Sequence, residues 1–228
     1  MRILFLSDLH LGSPLFKSEN KILSLLEEEY DKIILVGDII DIWENDLVSI
    51  VCDNQNLLKK INTLNNVIII KGNHDPSITA LESVFYQKDV NDRFMLKVDN
   101  KSILVIHGDE FDCLVTKYSW LAKLLFPVHW LFERLGVNLK GWFRDLYCSI
   151  SSKRDKKYYN ALVLDMEREL FNKYKGLYDC VVVGHTHLPK IIQEDGFTYV
   201  NCGDWVHNKV YVIYEDGQFI LRGEEDVV

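Results

Sequence analysis

Short apolar runs alternate along this chain with longer amphipathic stretches. Residues 3–6, 33–36, 67–70, 103–106 and 181–183 are brief, rich in β-branched side chains and free of charge. Such runs predict strands buried on both faces. Residues 20–29, 54–64 and 156–175 carry helical spacing, with Gly176 placed to cap the last of them. Strand–helix alternation predicts an α/β layered fold. Further on the pattern changes to hairpins. Residues 93–98 and 102–106 flank Asp99-Asn100-Lys101, residues 191–193 and 199–201 flank Asp195-Gly196, and residues 210–214 and 218–221 flank Asp216-Gly217. The sheet is therefore expected to be mixed.

One stretch breaks the alternation. Residues 111–160 read as mainly helical and as an insertion between two core strands of a single domain spanning 1–228. The insertion carries nine Lys/Arg against four Asp/Glu, while the whole chain has a net charge of −8. It also holds Trp120, Trp130 and Trp142, three of the five tryptophans. Net acidity weighs against a protein that grips nucleic acid by its phosphates. The five cysteines form no C-x-x-C pair, which suits reduced thiols in the cytoplasm. The opening apolar run is too short for a signal peptide or a membrane span.

The chemistry lies at the ends of the predicted strands. After residues 3–6 come Asp8 and His10. After 33–36 come Gly37, Asp38 and Asp41. After 67–70 come Gly72, Asn73, His74 and Asp75. After 103–106 comes His107, and after 181–183 come Gly184, His185 and His187. In α/β sheets, sites gather at the carboxyl ends of strands. An Asp or His at one strand end is usually a turn former or a solvated group. Five such ends, holding five of the seven histidines, point to a shared site. Imidazole and carboxylate together suit divalent transition metals. Two ions ~3.5–4 Å apart can activate water and clamp an in-line displacement at phosphorus. His129 and His207 stand outside this pattern and read as packed or solvated. Trp43 could wall the cleft or pack in the core.

These residues resemble the calcineurin-like metallophosphoesterases. The family pattern stands here as Asp8-Leu9-His10, Gly37-Asp38-Ile39-Ile40-Asp41, Gly72-Asn73-His74-Asp75, His107 and Gly184-His185-Thr186-His187. The resemblance implies a four-layer αββα sandwich and two divalent ions, manganese first, with iron or zinc also fitting. It implies that Asp8, His10 and His187 hold one ion, that Asn73, His107 and His185 hold the other, and that Asp38 bridges them. His74 would be the general acid, and Asp75 would orient it. Asp41 is left between a supporting and a structural role.

Within that family, Ser7-Asp8-Leu9-His10-Leu11-Gly12, His107-Gly108-Asp109-Glu110-Phe111-Asp112 and Asn201-Cys202-Gly203-Asp204-Trp205-Val206 are similar to the UDP-2,3-diacylglucosamine pyrophosphatase branch. That branch releases UMP during lipid A synthesis and has a helical lid after the motif matched by His107. It commonly has Arg where this chain has His74. The likeness implies a nucleotide-linked lipid substrate, with Trp120, Arg154 and Lys157 of the insertion as candidate substrate contacts. It also implies a cytoplasmic enzyme, peripheral on an anionic inner membrane. Two other readings stay open. One is a soluble phosphodiesterase or nuclease, and the other is a catalytically silent scaffold.

Overall fold

The computed structural model describes residues 1–112 and 156–227, with side chains described up to 112 and from 163 onward. Two compact units emerge. One comprises Met1–Gly108 with Tyr174–Val228, and the other comprises Asp109–Lys173.

The first unit holds both sheets. β1 (Ile3–Leu6), β2 (Lys32–Val36), β3 (Val67–Ile70) and β4 (Asp89–Asn91) run parallel. They are extended by the antiparallel β10 (Val210–Glu215) and β11 (Gln218–Gly223), giving the order β11-β10-β1-β2-β3-β4. The second sheet runs β5-β6-β7-β9-β8, from β5 (Arg93–Val98), β6 (Lys101–Ile106), β7 (Cys180–Val183), β8 (Lys190–Glu194) and β9 (Phe197–Asn201). Both sheets mix parallel and antiparallel pairs, as the hairpin signals predicted. Each hairpin turns on two residues with φ near +50° to +80°: Asp99-Asn100, Asp195-Gly196 and Asp216-Gly217. That twist matches the right-handed twist of the strands.

Strand alternation divides the core in two. Ile3, Phe5, Ile34, Val36, Ile68 and Ile70 point toward the second sheet and pack with Val105, Val182 and Val200. Leu4, Leu6, Ile33, Leu35 and Ile69 point the other way. They pack with Ile22 and Leu25 of α1 (Glu19–Leu25), Ile50 of α2 (Leu47–Asp53) and Leu57 and Ile61 of α3 (Gln55–Thr63). The short α4 (Ile78–Val84) adds Leu81. Helix, sheet and sheet thus form three successive layers within this unit.

Several elements differ from expectation. α1 stops at Leu25 rather than residue 29. Glu27, Glu28 and Glu29 follow, and negative charge at a helix C-terminus opposes the macrodipole. α2, α4 and β4 were not predicted, being only seven, seven and three residues long. Such lengths are too short to display a period.

Of the second unit, a 3-10 turn at Asp109–Phe111 and most of α5 (Lys156–Tyr174) are described. Lys173 lies over the Phe111 ring at 4.7 Å and pairs with Glu110 at 3.3 Å. The greater part of the insertion expected at 111–160 lies outside the described residues. So do Trp120, His129 and Arg154, and the side chain of Lys157.

Candidate metal centre

The carboxyl ends of β1, β2, β3, β6 and β7 converge on one site. Backbone bonds continue the strand pairing into the loops. Asp8 N–H donates to Gly37 O at 3.0 Å, His10 N–H to Asp38 O at 2.9 Å, and Gly184 N–H to His107 O at 3.0 Å. These loops leave no room for side chains at Gly37, Gly72 and Gly184. A Cβ on Gly72 would run into the Asp38 carboxylate, and one on Gly184 would run into Ser7 and Asp8.

Five site residues sit in the left-handed region, which non-glycine residues avoid. They are Asp8 (φ 52°), His10 (48°), Asp38 (50°), His185 (67°) and His187 (53°). Each such residue costs of order 1–3 kcal/mol and persists only where its surroundings over-determine it. Here the surroundings include Trp205 N–H donating to Asp8 O at 3.1 Å and His185 N–H donating to the Asp8 carboxylate at 3.0 Å. Ser7 donates a short hydrogen bond to that same carboxylate.

The ligand-type atoms form three groups, the first two sharing His10: Asp8 with His10 and His187, His10 with Asp41 and His74, and Asp38 with His107 and His185. Asp38 links the third group to the first. Its Oδ2 is 3.2 Å from His107 Nε2 and 3.9 Å from His10 Nε2, while its Oδ1 accepts the His74 backbone N–H at 2.8 Å. His107 Nδ1 donates to Val36 O at 2.9 Å, which turns the Nε2 lone pair toward Asp38. His10 Nδ1 pairs with Asp41 Oδ2 at 2.9 Å, which aims Nε2 inward.

The donor set fits two cations. Nε2 of His10 and Nε2 of His187 lie 3.2 Å apart, close to the ~3.3 Å separating two ligands at ~2.0–2.1 Å on one tetrahedral ion. The carboxamide oxygen of Asn73 is buried with no hydrogen-bond partner among the described residues. A buried acceptor left in that state is costly, and a cation would relieve it.

Electrostatics follow the geometry. Burial opposes ionisation of Asp8, yet His187 and His10 hold its carboxyl well below the usual carboxylate range. Burial likewise opposes Asp38, and His107 brings it down to about 2. For His10, burial favours the neutral ring, but Asp41 and then Asp8 raise it from 6.5 to about 10 in the metal-free protein.

The expected partner of His74 is corrected here. Asp75 does not reach its ring. Its Oδ1 accepts from Ile39 N–H at 2.9 Å and Ile40 N–H at 2.7 Å, and its Oδ2 accepts from Gly72 N–H at 2.8 Å. Asp41 Oδ1 contacts His74 Nδ1 at 3.0 Å instead. One carboxylate therefore serves both His10 and His74. The i+3 spacing from Asp38 to Asp41 was the available signal. Trp43 is not core. It is 61% exposed and stacks on His74, ring centres 4.6 Å apart and planes at 26°.

The segment after β9, singled out from sequence only for its resemblance, has a supporting role that sequence reasoning missed. Asn201 Nδ2 donates to Gly184 O and to Thr186 Oγ1, both at 2.9 Å. Asn208 Nδ2 donates to His187 O at 2.7 Å. Asp204 is fully buried and accepts from the backbone at 206–208. These bonds hold the loop that carries His185 and His187. His207 is exposed and only its backbone N–H joins this network.

The family model for calcineurin-like phosphoesterases matches residues 1–189. The chain belongs to that family. It is a metal-dependent phosphoesterase, and the family implies divalent ions at the site just described. Among relatives, a protein named UDP-2,3-diacylglucosamine hydrolase from Shewanella sp. (strain W3-18-1) is 26% identical over 216 residues, covering 90% of this chain and 89% of the relative. A protein of the same name from Psychromonas ingrahamii is 26% identical over 241 residues, covering 93% of each. Among solved structures, YfcE, a phosphoesterase from E. coli, superposes with a TM-score of 0.55 at 13% identity, covering 100% of this chain and 96% of that one. At that identity the likeness speaks for the fold alone.

Proposed function

We propose that this phosphoesterase hydrolyses the pyrophosphate of UDP-2,3-diacylglucosamine, or of a closely related nucleotide-linked lipid, to UMP and a lipid phosphate. The observation that carries the reaction is Asp38 Oδ2 standing 3.2 Å from His107 Nε2 and 3.9 Å from His10 Nε2, within reach of two imidazole clusters. The substrate reading is supported by relatives of that name aligning over about nine-tenths of both chains.

We assign one divalent ion to Asp8, His10 and His187, a second to Asn73, His107 and His185, and a bridging role to Asp38. Manganese is the expected ion, and iron and zinc suit the same donors. When bound, such a pair supplies an activated water and charge to offset the phosphoryl oxygens.

The chain's own groups supply the rest. His74 lies at the edge of the cluster, its ring held by Asp41 on one side and Trp43 on another. With Nδ1 engaged by Asp41, Nε2 is the atom that delivers a proton to the departing phosphate oxygen. Asp41, at 3.0 Å from Nδ1, fixes the direction of the ring. Asp75 acts one layer further out. By gathering three backbone N–H groups it holds the turns that present Asp38 and Asn73.

A lipid-linked substrate implies work at the cytoplasmic face of the inner membrane. No helix among the described residues is long and apolar enough to cross a membrane.

The test is UMP release from UDP-2,3-diacylglucosamine in mild detergent by manganese-loaded protein, followed by mass spectrometry. UMP that appears with wild type and not with Asp38→Ala supports the reading. Absence of UMP while an aryl phosphodiester is still cleaved would reject the lipid substrate. The search would then move to other nucleotide diesters, a direction favoured by His74 standing where the lipid A branch commonly has Arg.

A further inference from the structure

We infer that Trp43 is the platform on which the nucleobase of the substrate stacks. The inference rests on the proposal that the substrate is nucleotide-linked.

Trp43 is 61% exposed, although exposing a large aromatic side chain to water forfeits burial that a folded chain normally collects. Its position is nonetheless built. Its backbone N–H donates to Asp41 Oδ1 at 3.1 Å, the same oxygen that contacts His74. The loop is pinned on both sides. Ile42 N–H donates to His74 O at 3.3 Å, and Asn45 Nδ2 donates to Gly12 O at 2.9 Å. One face of the indole is taken by the imidazole of His74. The exposure therefore belongs to the opposite face and the outer edge.

The occupant follows from shape and reach. A flat ring held nearly parallel to His74 extends a stack by one planar group. The ring centres are 4.6 Å apart, so the indole lies within a nucleoside's span of any phosphorus that His74 serves. A base joined to that phosphorus through ribose meets both conditions. A saturated acyl chain has no planar face to offer. Glu44 and Asn45, the two residues that follow Trp43 in the chain, are both exposed. Stacking of a base on an aromatic side chain is tolerant of base identity and contributes ~1–3 kcal/mol.

The test is titration calorimetry of the manganese-loaded, full-length protein with UMP and, separately, with ribose 5-phosphate. Both ligands present a phosphate and a ribose, and only UMP has a base. Wild type should bind UMP about 5- to 150-fold more tightly than ribose 5-phosphate. Trp43→Ala should close that gap, and Trp43→Phe should keep most of it. Displacement of His74 would weaken both ligands together and leave their ratio unchanged, so the ratio isolates stacking. A wild-type ratio near one overturns the inference, as does a gap that survives in Trp43→Ala. The readout does not depend on turnover. UMP release without a binding gap would sink the platform alone, and a binding gap without UMP release would sink the lipid substrate alone.

Discussion

Asp41 and Asp75 are two buried carboxylates from neighbouring strand-end loops, and the protein uses them in opposite ways. Asp41 follows β2 and faces two imidazoles. Burial resists its charge, but hydrogen bonds from His10 and His74 hold its carboxyl far below the ordinary range. Asp75 follows β3 and faces only backbone amides. Burial, and then the negative charge of Asp38, push it up to about 6, against the pull of the Ile40 and Gly72 amides. One residue type thus serves as an electrostatic partner in one loop and as a backbone clamp in the next. Partner identity decides which, since imidazolium neighbours reward the charge and amide dipoles only partly offset its desolvation.

The largest effect should come from the carboxylate both loops share. Asp38→Ala is expected to abolish turnover and to lower bound metal, measured by elemental analysis of protein prepared with excess manganese. Near-normal activity would remove Asp38 from its bridging place. Next, His74→Ala should keep its metal and lose about 10²–10⁴-fold in turnover. Collapse of the metal content instead would make His74 a ligand.

The comparison itself is tested by a pair of variants. Asp41→Asn should stay folded while losing about 10–100-fold in metal affinity or activity, because His10 and His74 lose their charged partner. Asp75→Ala should instead act on stability. It strands the N–H groups of Ile39, Ile40 and Gly72, at a cost of about 2–5 kcal/mol by denaturant unfolding. If Asp75→Ala proved stable but inactive and Asp41→Asn active but unstable, the two roles would have to be exchanged.

The last prediction concerns pH. Without metal, His10 and His187 hold protons more tightly than a free imidazole does. For each, burial lowers the affinity, while Asp41 at His10 and Asp8 at His187 more than compensate. A metal needs those rings neutral, so its apparent affinity should rise about tenfold per pH unit for each proton displaced. Calorimetry in buffers of different ionisation enthalpy counts the protons. The sign for folding runs the other way. The raised His10 stabilises the metal-free protein fully below pH 6.5, and that increment fades as pH climbs toward 10. Denaturant unfolding of the metal-free protein at pH 6 and pH 10 reads it directly.

Much of the fold was legible because its signals are local. A run such as Val67 to Ile70 leaves no polar face, so it must be a strand buried on both sides. Asp195-Gly196 and Asp216-Gly217 tolerate positive φ, so they place hairpins. α2 and α4 escaped because each makes about two turns. Both are held by N-caps, Asp46 and Ser77, and by packing that no short window displays. In the site, the residue types at each strand end were legible, and their positions after strands implied a common edge.

Amino-acid identity and order alone settled the strand runs, the turns, the donor types and the family resemblance, since each depends on residues within a few positions of one another. Tertiary structure alone decided which donor faces which. Asp41 meets partners 31 and 33 positions away, and Asp75 meets amides 35 and 36 positions back. Those pairings exist only after β1, β2 and β3 lie side by side and the glycine gaps let their loops close. A carboxylate's task is then set by what the other loops bring within 3 Å of it.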